Sequence, residues 1–223
     1  MSIKFNVDED VRKLGVKILA VIIEDLDNKT LNNKFDDWRK NQVINLIDKY
    51  KDYDIKSDKV IEGFYSLHQK VGVPRRKNLP ASENLIKLLS KREELIEINK
   101  AVDIYNIISI DSKLCLGAHD IDKIGGNVTL KITSGTENFI PLGAKEPKPI
   151  NPGEYSFVDD EGDVICWLDI RQVDKTKVTE ESKNILYFII VNEENTYDDL
   201  ENVANEIIAH TLNFCGGKAK IVR

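Results

Sequence analysis

The sequence is poor in groups that build covalent or metal-centred sites. Its three cysteines, Cys115, Cys166 and Cys215, are odd in number, widely spaced and form no C-x-x-C pair. That pattern argues against a zinc site or a disulfide framework, and free thiols point to the cytoplasm. No G-x-S-x-G, Walker A, G-x-G-x-x-G or H-E-x-x-H motif occurs, so no motif supplies a nucleophile or a phosphate loop. No cofactor and no metal are expected. The longest apolar stretch, 16–23, is broken by Lys17 and is far too short to span a bilayer. Residues 1–10, MSIKFNVDED, lack the basic start and long apolar run of a signal peptide, and no membrane partner is expected. Basic charge is also short, with 32 Lys+Arg against 38 Asp+Glu and a net charge of −6. Tight non-specific nucleic-acid binding needs a basic face that releases counterions, so no DNA partner is expected. The clusters Arg75-Arg76-Lys77, Lys145 with Lys148, Lys175 with Lys177, and Lys218 with Lys220 and Arg223 read first as solvated loops. They leave room for a weak, transient RNA contact.

What is present describes a folded globule: 223 residues, 41% of them hydrophobic, with no internal repeat and no Gly/Pro/Ser-rich linker. One domain over 1–223 is expected, in three stretches: a strand plus helices over 1–100, a sheet-rich core over 101–195, and a C-terminal helix within 196–223. The β-branched run at 16–26 reads as a buried strand. Helices are predicted over 30–50, from a Ser57 cap to Gly72, from a Ser82 cap near 79–89, over 101–110, and over 197–213 behind a Thr196 cap. Strands are predicted at 128–132, 139–142, 155–158, 164–168 and 185–191. This is an α+β pattern, with a helical N-terminal part on a mostly antiparallel sheet assembly.

Three histidines are present, and one sits in suggestive company. His68 reads as a surface or boundary residue late in a helix, and His210 as a core-edge residue near a helix C-terminus. His119 lies in GAHDID, a Gly-flanked segment read as a loop leading to the sheet. A loop histidine can act as a general base near neutral pH, with a neighbouring carboxylate such as Asp120 fixing its tautomer. Cys115 reads as a core thiol. In VICWLDIRQ, Arg171 and Gln172 close a strand, where a guanidinium fork and an amide suit a carboxylate or phosphate. The bland reading pairs Arg171 with Asp169 or Asp174.

The stretches AVDIYNIIS (101–109), GAHDIDKIGGNVTLKITSGTENFIPLG (117–143), PGEYSFVDDEGDVICWLDIRQ (152–172) and TKVTEESKN (176–184) resemble the B3/B4 domain of the phenylalanine–tRNA ligase beta subunit. GVPRRKNLPASENL (72–85) is similar to the helix start of its stand-alone relatives. The resemblance implies a layered β-sandwich flanked by helices. It also implies a proofreading module that hydrolyses the ester of mischarged tRNA. His119-Asp120 is similar in position to the family's histidine motif and is the expected catalytic pair. Arg171, Gln172 and Thr179 are the expected substrate contacts. Two departures stand out. A glutamate that helps the ligase module select tyrosine aligns with Phe188, and a Gly-rich turn looks replaced by Arg171-Gln172. No aminoacylation motif is present, so ligase activity by this chain alone is not expected.

In the hydrolytic reading His119 positions or deprotonates water and Asp120 orients it. Amides near Gly117 or Gly125 face the oxyanion, and Arg171 and Gln172 hold the amino acid or the terminal ribose-phosphate. The alternative is a non-catalytic module that binds an amino acid or small metabolite. A third reading is an interaction protein with a vestigial, filled pocket and a fully buried His119.

Overall fold

Residues 185–191, ILYFIIV, contain no polar alternate, which is the pattern of a strand covered on both faces. In the computed structural model, which describes residues 3–222, they form β8 (Ile185–Val191), and all seven are buried. Met1, Ser2 and Arg223 of the terminal basic cluster lie outside the described residues. β8 is flanked by β3 (Cys115–Asp120) and β2 (Lys17–Glu24), both antiparallel to it, and β9 (Lys218–Val222) closes the edge beyond β2. A second sheet runs in the order β1 (Phe5–Val7), β4 (Val128–Ile132), β5 (Tyr155–Asp159), β6 (Val164–Trp167), β7 (Arg171–Gln172). Its pairings are antiparallel except β1 with β4, and a short helix, α1 (Glu9–Arg12), carries the chain from β1 into β2.

The two-residue period of β8 sorts its side chains into two cores. Leu186, Phe188 and Ile190 join Ala20, Ile22 and Cys115 against Leu130, Tyr155 and Phe157 of the other sheet. Ile185, Tyr187, Ile189 and Val191 join Leu19, Val21 and Ile23 against α5 (Lys100–Ser112) and α6 (Tyr197–Cys215). The fold is therefore a sheet-on-sheet sandwich with a helical layer on one outer face, an α+β architecture. Outside α5 lie α2 (Asn33–Tyr50) and α4 (Ala81–Arg92), joined to it through Leu46, Ile86, Leu89 and Ile107. From α3 (Lys59–Lys70), Phe64 and Leu67 reach the intersheet core. Among the described residues no helix is long and apolar enough to cross a membrane.

Several expectations need correction. Residues 139–142 form no strand. They carry an isolated bridge from Pro141 to Val173, beside one from Asn138 to Asp163. Asp58, not Ser57, caps α3, accepting from the Ile61 amide at 3.0 Å. Ser82 caps nothing. It lies inside α4, buried, with its hydroxyl 3.4 Å from Cys115 Sγ. His119 is in no loop but near the end of β3. β1, α1, β3 and β9 were not anticipated as elements. Each is short, and tertiary pairing rather than local pattern defines it.

Thr196 does cap α6, in a capping box: its hydroxyl accepts from the Asp199 amide at 3.1 Å, and Asp199 Oδ2 accepts from the Thr196 amide at 2.8 Å. Thr196→Ala is expected to lower stability by about 1 kcal/mol. The check is the urea unfolding midpoint, and an unchanged midpoint means that the box contributes nothing.

Candidate functional site

Between the two sheets, where β3 and β8 face β5 and β6, the packing leaves a cavity of about 190 Å³. Its walls are mostly apolar, with Leu85, Tyr105, Phe157, Ile170, Phe188 and Ile190 among them. Phe188 and Phe157 stack with centroids 4.3 Å apart and form an aromatic wall. Polar groups enter from Asn84 on α4, Asn106 on α5, His119 on β3 and Gln172 on β7. Gly117 makes room for Gln172, since a Cβ there would lie 2.7 Å from Gln172 Nε2.

His119 and Asp120 do not form a pair. Neighbouring residues on a strand point to opposite faces. His119 turns into the sandwich with Cys115 and Gly117, and its Nδ1 lies 2.8 Å from Thr176 Oγ1. Its Nε2 is buried and has no hydrogen-bond partner among the described residues. The Asp120 carboxylate instead accepts from Ser182 Oγ at 2.7 Å and from the Asp122 amide at 3.1 Å, and pairs with Lys123 at 3.3 Å. Thr176 is thus the group that orients the imidazole.

Burial pushes the His119 imidazole down from 6.5 to about 3. A proton acceptor of that strength is roughly a thousandfold or more weaker than an ordinary histidine. At neutral pH the imidazole is therefore uncharged. Nε2 either donates to a carbonyl oxygen or accepts from a water, according to the tautomer that Thr176 selects.

The other expected contacts separate. Gln172 lines the cavity and Arg171 does not. Arg171 is exposed and lines an adjoining hollow with Lys77, which shares Asn84, Leu142, Ile170 and Gln172 with the cavity. Neither Asp169 nor Asp174 pairs with it. Asp174 holds Lys177 at 2.8 Å, and Asp169 is turned inward. Thr179 lies away from the cavity, in a turn where its carbonyl accepts from Asn28 Nδ2 at 2.8 Å and its amide donates to Ser182 Oγ at 3.0 Å. The Gly125 amide is also committed, to Asp159 Oδ2 at 3.0 Å.

The reading of His68 as a surface or boundary residue is corrected. His68 is fully buried, not at the surface, and its Nε2 lies 2.5 Å from Asp169 Oδ1. Tyr155 donates to the same oxygen at 2.8 Å, and Cys115 Sγ donates to Oδ2 at 3.2 Å. Burial by itself raises the Asp169 carboxyl, but the His68 charge and the three donated hydrogen bonds outweigh it and hold the group below its ordinary value. The same burial, with the Asp169 charge nearby, pushes the Cys115 thiol well up, which makes it a structural donor and no nucleophile. A signal for His68 was available. It follows Ile61, Phe64 and Tyr65 on one helical stripe, all of them buried.

All three cysteines are free and buried. Asp159, Glu161 and Asp163 converge closely enough to hold a cation, but Lys175 Nζ already lies 3.3, 2.9 and 2.5 Å from them.

The family model of the B3/4 domain matches residues 70–199. Phenylalanine–tRNA ligase beta subunits are similar over shorter stretches. That of Mycoplasma pneumoniae is 33% identical over 100 residues, 45% of this chain and 12% of the relative. That of Mycoplasma genitalium is 30% identical over 118 residues, 53% of this chain and 14% of the relative. The matches thus take in about one eighth of the length of these relatives. Among solved structures, an N-terminal fragment of the phenylalanyl-tRNA synthetase beta subunit from Pyrococcus horikoshii superposes with a TM-score of 0.55 at 17% identity, over 100% of this chain and 52% of that one. At that identity the likeness is one of fold.

Two predictions follow from the buried histidines. The unfolded chain takes up a proton at His119 near 6.5 and the folded chain only near 3, so below 6.5 the unfolded state holds more protons and stability is lost as the pH is lowered. Each pH unit of that window costs up to about 1.4 kcal/mol. Urea titrations between pH 6.5 and 4.5 are expected to show a flatter slope in His119→Gln than in the parent. His210, also lowered by burial, contributes equally to both proteins. Asp169, held below 3.8, adds its own loss only beneath that pH. His68→Ala strips the buried carboxylate of its partner and is expected to cost about 3–5 kcal/mol, measured by the same unfolding at neutral pH.

Proposed function

The chain belongs to the B3/4 domain family, and on that footing we propose that its cavity receives the amino-acid side chain of an aminoacyl ester on tRNA and hydrolyses that ester in trans. The observation that carries this reading is the cavity itself: about 190 Å³, largely apolar, with one buried imidazole nitrogen that has no partner among the described residues. An engineered apolar cavity of about 150 Å³ binds benzene, so this one has room for a branched or ring-bearing side chain. The curated relatives are subunits of a phenylalanine–tRNA ligase, which supports an aminoacyl group on tRNA as the ligand class.

In this reading Phe157, Phe188, Tyr105 and Leu85 enclose the side chain, and Gln172 and Asn84 hold the polar end. His119, oriented by Thr176, hydrogen-bonds the carbonyl or the attacking water. Water adds to the ester carbonyl, the bond to the ribose oxygen breaks, and that oxygen leaves as a hydroxyl with a proton from water. Arg171 and Lys77 attract the nucleotide end of the substrate to the mouth. An aminoacyl ester is labile, so alignment and hydrogen bonding suffice without a covalent nucleophile. Asp120 and Thr179 have no part in it. With Phe188 as a wall, apolar side chains are favoured over tyrosine.

One observation favours a second reading, a binding module for an amino acid without turnover: His119 is fully buried and a weak base. A panel of aminoacyl-tRNAs, incubated with parent and His119→Ala, separates the two. Hydrolysis predicts deacylation of at least one species by the parent, lowered about 100-fold in the variant. Undiminished deacylation by His119→Ala rules out the proposed role of the imidazole. Thermal stabilisation by amino-acid amides with no deacylation of any species supports binding alone.

A further inference from the structure

The hollow at the cavity mouth does not end there. It shares Leu142 and Arg171 with a wider groove of about 490 Å³ that also contains Phe139, Lys148 and Trp167. We infer that this groove binds the unpaired nucleotides of an RNA 3′ end, with the Trp167 indole as a stacking face and Arg171 and Lys148 as phosphate contacts. This deepens the aminoacyl-site reading and rests on it for the identity of the strand.

Three observations carry it. The first is uncommitted charge. The chain is acidic overall, yet Lys77, Arg171 and Lys148 along this path have no ion pair or side-chain hydrogen bond among the described residues. Of the other basic residues named from the sequence, Arg75 is paired with Glu62, Lys175 with three carboxylates, Lys177 with Asp174 and Lys218 with Asp25, while Arg76, Lys145 and Lys220 are unpaired among the described residues but do not line this path.

The second is a fixed aromatic surface. Trp167 is half-buried, and its indole N–H donates to Glu154 Oε2 at 2.7 Å. Glu154 Oε1 in turn accepts from Asn151 Nδ2 at 2.8 Å, and the Phe139 ring lies 6.4 Å from the indole. An indole whose N–H is satisfied and whose plane is held offers its π-face at little entropic cost, and bases of any sequence stack on such a face. The groove also contains the Glu154 carboxylate, which is buried and occupied by these two donors.

The third is register. Trp167 and Arg171 are directly paired across β6 and β7, so their side chains rise from one face. A guanidinium beside an indole sets a phosphate contact next to a stacking contact, which is the repeat of a single strand.

The test uses the intact chain and a 5′-fluorescein RNA tetranucleotide ending in CCA, with anisotropy as the readout at 50 and 200 mM salt. Binding is expected to weaken tenfold or more in Trp167→Leu and in Arg171→Ala, and to fall with salt in the parent. The same strand closed in a duplex is expected to bind less. Quenching of Trp167 emission in a Trp38→Phe background is expected with the unlabelled tetranucleotide and not with inorganic phosphate. No binding by the parent at 50 mM salt, equal affinity for the duplex, or unchanged affinity in both variants would overturn the inference. Thermal shift of the parent with amino-acid amides is read separately. Amide stabilisation without oligonucleotide binding defeats the groove and leaves the cavity reading intact. Oligonucleotide binding through Trp167 and Arg171, with no response to any amide and no deacylation, leaves the groove and defeats the cavity reading.

Discussion

Every residue of β8 is buried, and the strand separates two cores with no buried residue in common, one on each of its faces. Because β3 is held in antiparallel register with it, the same alternation is imposed on CLGAHD. Cys115, Gly117 and His119 are delivered to the intersheet side, while Leu116 and Ala118 go to the helical side. A one-residue slip would exchange the two sets and move the imidazole out of the cavity. The site therefore depends on strand register before it depends on any particular functional group.

The floor of the cavity is tied together by one carboxylate. Asp169 collects His68 from α3, Tyr155 from β5 and Cys115 from β3, while its backbone carbonyl accepts from the Ala81 amide at the start of α4 at 3.2 Å. Asn84 and Leu85, one turn further along α4, line the cavity. Leu168 adopts a left-handed φ of 50°, in the turn that sends Asp169 inward and Arg171 two residues later to the surface. One turn thus supplies both the anchor beneath the cavity and the cation at its mouth. A buried carboxylate with three donors is stable only while all of them remain in place, so the elements bearing them are held in one arrangement.

Charge and shape are divided in space. Inside, the wall is aromatic and aliphatic and the imidazole is neutral. Outside, uncommitted cations follow the mouth and the groove. A ligand with an apolar head and a phosphate-bearing tail matches that division. It also explains how an acidic chain presents a local basic path: Arg75, Lys175 and Lys177 are neutralised by nearby carboxylates, and Lys77, Lys148 and Arg171 are not.

The amino-acid sequence by itself determined the α+β class, the long helices, the doubly covered β8 and the family relationship. Those follow from local periodicity and from motifs that are contiguous along the chain. It singled out His119, Gln172 and Arg171 but misassigned their company. Asp120 is next to His119 in sequence, yet strand geometry turns it away, and Thr176, 57 residues distant, takes its place on the imidazole. Likewise Thr179 holds a turn, and His68 pairs with Asp169 across 101 residues. Only the tertiary structure decided these partnerships. The reason is physical: adjacency in a chain fixes which face a side chain takes, and packing between distant segments fixes what it meets there.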